Sequence, residues 1–110
     1  MSTENTEAVL AEIQQQIQSN PIILYMKGTP EQPQCGFSYR AAQCLDACGI
    51  EYAFVDVLAR PEIRATLPKY ANWPTFPQLY VHGELVGGCD IIVEMHQQGE
   101  LLPLLQSTIR

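Results

Sequence analysis

The chain is short of cations. Six Lys and Arg stand against twelve Asp and Glu, a formal net charge of -6 over 110 residues. A protein of that balance repels phosphate backbones and anionic lipid, which argues against nucleic acid and membrane surfaces as partners. It also lacks any apolar run approaching the length of a membrane span. Residues 1–18 are acidic and Gln-rich, with neither a basic leader nor an apolar stretch behind one, so they do not read as a secretory signal. There is no linker, internal repeat or low-complexity segment. Residues 1–110 are therefore expected to form a single domain, large enough for a hydrophobic core without staples. The expected location is cytoplasmic, where four cysteines stay reduced. They then act as ligands, nucleophiles or core filler rather than as a disulfide framework.

What is present is a regular alternation of elements. Val9, Ile13 and Ile17 recur every four residues, so Thr6 to Ser19 reads as an amphipathic helix with Thr6 as N-cap, ended by Pro21. Ile22 to Met26 is continuously apolar, as in a strand buried on both faces. A loop from Lys27 to Gln34 follows. Cys35 to Cys48 is helical in pattern and closed by Gly49. Tyr52 to Val57 reads as a second strand, parallel to the first through a right-handed crossover. Pro61 opens a short helix to Tyr70. Trp73 to Pro77 is too proline-rich for regular structure. Gln78 to Val81 and Glu84 to Val86 flank His82-Gly83 and predict a tight antiparallel hairpin. Helices from Asp90 to about Gln98 and from Leu101 to Gln106 end the chain. The fold class is α/β, with a four-stranded mixed sheet flanked by helices on both faces.

Cys35-Gly36-Phe37-Ser38 lies just after a buried strand, at the start of a helix. Backbone N–H groups and the helix dipole there favour a thiolate. The spacing is that of a C-x-x-C redox motif with Ser38 in place of the second thiol. In C-x-x-C that second thiol attacks the mixed disulfide and frees the product. Ser38 cannot, so Cys35 must wait for an external thiol or do something else, such as bind a metal. A buried, inert cysteine would fit the same spacing. Cys44 and Cys48 lie about 13 and 20 Å further along the same helix, at about 1.5 Å per residue. One zinc held by all four cysteines is thereby excluded. Cys44 and Cys48 are expected in the core, on the face against the sheet. Cys89 follows Gly87-Gly88 and precedes Asp90 at another helix start. The N–H groups there suit a carboxylate, although a plain N-terminal cap reads the same way.

Four segments taken in order carry a resemblance: Lys27-Gly28-Thr29-Pro30, Pro33-Gln34-Cys35-Gly36-Phe37-Ser38, Trp73-Pro74-Thr75-Phe76-Pro77 and Gly87-Gly88-Cys89-Asp90. Together they resemble the monothiol, CGFS-type glutaredoxins, from about Asn20 to Gly99. The resemblance implies a thioredoxin-like fold. It implies a glutathione site in which Lys27 and Arg64 bind the glycine carboxylate. The Phe76 backbone, before a cis Pro77, pairs with the tripeptide like an added strand, and Cys89 and Asp90 hold the γ-glutamyl end. It further implies a homodimer in which Cys35 of each chain and two glutathiones share a [2Fe-2S] cluster, with a BolA-like protein and iron-sulfur client proteins as partners. The thiol arithmetic agrees, since such a cluster needs four thiolates and each chain offers one well-placed one.

Three functions compete. The first, which the loop before Cys35 and the presence of Ser38 favour by resemblance, is a carrier that transfers a [2Fe-2S] cluster in iron-sulfur cluster biogenesis, with at most weak enzyme activity. The second is a glutathione-dependent thiol-disulfide oxidoreductase that uses Cys35 as nucleophile in deglutathionylation. The third is a redox-sensing module with a Cys35–Cys89 disulfide.

Overall fold

The computed structural model describes residues 3–109, with side chains from residue 6 onward. Its elements run α1 (Thr3–Ser19), β1 (Ile22–Met26), α2 (Gly36–Ala47), β2 (Ala53–Asp56), α3 (Pro61–Ala71), β3 (Gln78–Val81), β4 (Glu84–Gly87), α4 (Cys89–Gln97) and α5 (Leu101–Gln106). The sheet order is β2-β1-β3-β4. β1 pairs parallel with β2 and antiparallel with β3, and β3 pairs antiparallel with β4. This is the expected mixed sheet in a thioredoxin-like arrangement.

β1 explains the two layers around it. All five of its residues are buried. Side chains alternate across a strand, so Ile22, Leu24 and Met26 enter one core while Ile23 and Tyr25 enter the other. The first core is closed by Ala41, Ala42 and Leu45 of α2, Ile92 of α4 and Leu101 and Leu105 of α5. The second is closed by Ile13 and Ile17 of α1 and Ile63 and Leu67 of α3. Each fully buried Leu or Ile contributes about 1.5–3 kcal/mol, so these two layers are what hold the sheet's ends in place.

The topology then gathers the motifs. β1, β2 and β4 point the same way, and β3 points against them, with Gln78 at its start opposite Tyr25 near the end of β1. The C-terminal ends of three strands and the N-terminal end of β3 therefore meet at one end of the sheet. The starts of α2 and α4 and the segment 73–77 all emerge there. None of the helices among the described residues is long and apolar enough to cross a membrane.

Several boundaries differ from expectation. α1 starts at Thr3, not Thr6, because no proline or glycine stops it earlier and acidic residues suit a helix N-terminus. β2 is shorter by one residue at each end, and the Tyr52 hydroxyl instead donates to Asp46 Oδ1 at 2.8 Å. Cys44 and Cys48 are half-buried at the margin of the first core rather than within it. The inward stripe of α2 is Ser38, Ala41, Ala42 and Leu45, and both cysteines fall beside it. The hairpin is as expected: His82 (φ 54°) and Gly83 (φ 79°) supply the two left-handed residues of a two-residue turn.

Candidate functional site

At the end of the sheet where the motifs meet lies a cleft of about 760 Å³. Lys27, Cys35, Arg64, Phe76, Cys89 and Asp90 all line it. Five separate elements bring them there. Lys27 follows β1, and Cys35 is the N-cap of α2 with its carbonyl accepting the Tyr39 N–H at 2.9 Å. Arg64 is exposed on α3, whose first turn is anchored by Arg60 to Glu12 of α1 at 2.6 Å and to Glu62 at 2.7 Å. Phe76 is buried ahead of a cis Pro77. Cys89 and Asp90 open α4.

The corner at Lys27 is built by two side chains. Gly28 takes φ 91°, and a Cβ there would collide with backbone atoms of Gln32 and Gln34, so only glycine fits. The Gly28 N–H donates to Asp56 Oδ1 at 2.9 Å, and the Leu58 N–H donates to the same oxygen at 2.9 Å. The Lys27 N–H donates to Ser38 Oγ at 3.0 Å. Ser38 is fully buried. Because its oxygen already accepts from Lys27, its own proton is free for the sulfur of Cys35.

The four thiols differ. Cys35 is half-buried, and its thiol is held below the ordinary range, first by the Ser38 backbone N–H. Partial burial opposes this, and the Phe37 N–H, the Lys27 charge and the Ser38 hydroxyl add to it. Burial pushes Cys89 the other way, with Arg40 pulling back and Asp90 and the neighbouring thiols pushing further. Cys44 and Cys48 are raised, chiefly by burial. Cys35 is thus the thiol poised to be a thiolate nucleophile or ligand. Among the described residues no group of three or more His, Cys, Asp or Glu could hold a metal ion. A metal at Cys35 would need ligands from outside the described residues.

The opposite wall is the segment 73–77. The N–H and C=O of Phe76 take no hydrogen bond from the described residues. An extended peptide laid along this segment would find both free, in the manner of an added strand. Gly88 lies against the same wall: a Cβ there would come 3.2 Å from the Pro77 carbonyl oxygen and 3.4 Å from Trp73 Nε1. That indole N–H is buried and has no partner among the described residues. Phe37, Pro68, Trp73 and Thr75 also line the cleft and were not singled out one by one from sequence. Phe37 could have been, as an aromatic beside the thiol, and it is 59% exposed.

Comparison with known proteins points to one family. The profile of the Glutaredoxin family matches residues 22–86. Glutaredoxin 4 of Escherichia coli K12 is 64% identical over 99 residues, covering 90% of this chain and 86% of that protein. A probable monothiol glutaredoxin, GrlA, of Legionella pneumophila is 64% identical over 87 residues, covering 79% of this chain and 98% of that protein. Among solved structures, a buckwheat glutaredoxin–glutathione complex superposes with a TM-score of 0.84 at 27% identity, covering 97% of this chain and 96% of that one.

Proposed function

This chain belongs to the glutaredoxin family, on its monothiol branch, and from that premise we propose that it binds glutathione in the cleft and carries a [2Fe-2S] cluster as cargo. Lys27 and Arg64 attract the glycine carboxylate. The Phe76 main chain pairs with the tripeptide, and the backbone N–H groups of Cys89 and Asp90 at the start of α4 receive the γ-glutamyl end. That layout brings the glutathione thiol beside Cys35, and the buckwheat glutaredoxin's complex with glutathione supports glutathione as the ligand.

The observation that carries the reading is that each chain has a single thiol lowered toward thiolate, at the mouth of a cleft walled by two cations. A [2Fe-2S] cluster needs four thiolates. Cys35 from each of two chains and one glutathione on each complete that set, so the cluster bridges a homodimer. The cargo passes to client apoproteins, with a BolA-like protein as a further partner, in the cytoplasm. One glutaredoxin domain suffices for this role. Anaerobic reconstitution with iron and sulfide tests it. Colour and bound iron should require glutathione and vanish in Cys35→Ser, but persist in Cys44→Ala and Cys48→Ala. A cluster retained in Cys35→Ser overturns the assignment.

The half-exposed, lowered thiol also favours a second activity. The Cys35 thiolate attacks the glutathione sulfur of a protein mixed disulfide, and the protein leaves as its thiol. A second glutathione then attacks the Cys35–glutathione disulfide, releasing oxidised glutathione and restoring the thiol. With Ser38 in place of a second thiol, no intramolecular disulfide competes at this position, and the Cys35–glutathione disulfide is resolved by the external glutathione.

A further inference from the structure

Segment 73–77 forms one wall of the cleft yet belongs to no helix or strand, so no backbone ladder holds it. The Trp73 N–H donates to the Pro68 carbonyl at 3.1 Å, and beyond that first residue a side chain holds the segment. Gln78, the first residue of β3, is fully buried. Its Nε2 donates to the Trp73 carbonyl at 3.0 Å and to the Thr75 carbonyl at 3.2 Å. Its Oε1 accepts from the Tyr80 hydroxyl at 2.9 Å. Both amide hydrogens and one acceptor site are therefore used. Tyr80 is itself fixed, standing edge-on to Tyr25 with ring centroids 5.7 Å apart. The Tyr25 hydroxyl in turn donates to Gln16 Oε1 at 2.8 Å.

The consequence falls on Phe76. Two carbonyls just ahead of it, those of Trp73 and Thr75, are turned onto one amide, while its own N–H and C=O make no hydrogen bond among the described residues. We propose that Gln78 is a positioning residue for glutathione: by holding Trp73 and Thr75 it presents the Phe76 main chain as a preformed edge for the tripeptide. The inference rests on the reading of the cleft as a glutathione site. No other side chain of this size does the same. Glutamate offers no donor and turns a charge on two carbonyl oxygens, and leucine removes the donor from both carbonyls and leaves the buried Tyr80 hydroxyl unpaired.

The test compares Gln78→Leu, Gln78→Glu and Tyr80→Phe with the unaltered protein. Glutathione affinity is read by calorimetry, and the pH midpoint of Cys35 alkylation is read alongside it. Both glutamine variants should weaken glutathione by about tenfold or more, as expected for losing paired carbonyls at the ligand's edge. Tyr80→Phe, which frees the amide oxygen but keeps the ring, should weaken it a few-fold. Cys35 should titrate unchanged, since the groups that set it lie on α2 and at Lys27, away from this wall. Undiminished glutathione binding in the glutamine variants, with only a lower melting temperature, overturns the inference and leaves Gln78 a structural residue. Should neither glutamine variant fold, full affinity in Tyr80→Phe overturns it equally. Absence of glutathione binding by the unaltered protein overturns the reading of the cleft and the inference with it, and so marks which of the two has failed.

Discussion

Among the described residues, two clefts are of nearly equal size, about 760 Å³ beside Cys35 and about 750 Å³ along the outer side of β2. The second is lined by Glu31, Asp46 and Glu51, with no lysine, arginine or cysteine. The first has Lys27 and Arg64 on its walls and the lowered thiol at its mouth. On a chain of net charge -6, carboxylates along a groove are what chance supplies. Two cations lining the cleft that holds the lowered thiol are a departure from it. The two clefts differ in charge and thiol chemistry and not in volume.

Charge reversal breaks the comparison most sharply. Lys27→Glu or Arg64→Glu should each weaken glutathione about five- to tenfold, on the order of 1 kcal/mol for a partly screened contact. Glu51→Lys in the other cleft should leave the affinity unchanged. Calorimetry on the three variants at moderate salt decides it, and equal effects in both clefts would remove Lys27 and Arg64 from the site.

A smaller effect separates the thiols. Alkylation of Cys35 should proceed at a pH where Cys89 is still protonated, because backbone donors and Lys27 hold the first down while burial holds the second up. Ser38→Ala should raise the Cys35 midpoint only slightly, since the Ser38 backbone N–H outweighs its hydroxyl. Mass-resolved alkylation from acid to alkaline pH checks both. A large rise would make the hydroxyl the main donor.

The smallest effect lies away from both clefts. Arg60 holds Glu12 below its usual range, on an ion pair more than a third exposed. A carboxylate lowered on folding stabilises above its unfolded pKa, and that contribution is lost as pH falls through the lower, folded value. Glu12→Gln should therefore cost a few tenths of a kcal/mol at neutral pH and nothing in strong acid. Urea midpoints across that range measure it, and a constant difference at every pH would assign the effect to packing instead.

The elements that pack by period were legible in the sequence, and the contacts between distant segments were not. β1 announced itself as five consecutive apolar residues, and the hairpin through His82-Gly83. The five residues expected around glutathione came from the resemblance and Cys35 from its place at a helix start, and all six line one cleft. Asp56 and Gln78 carried no such mark. Asp56 works by accepting from Gly28, 28 residues earlier, and Gln78 by turning back on the segment before it. Neither act has a period or a motif. The half-burial of Cys44 and Cys48 was missed because a helix face predicts which side a residue takes, not how closely neighbours cover its margin.

The central claim is that one thiolate per chain makes the cluster a shared object. Native mass spectrometry of the anaerobically reconstituted protein weighs that directly. The predicted mass is two chains, one [2Fe-2S] cluster and two glutathiones, collapsing to a bare monomer when glutathione is withheld. A monomer carrying a complete cluster without glutathione would contradict the account.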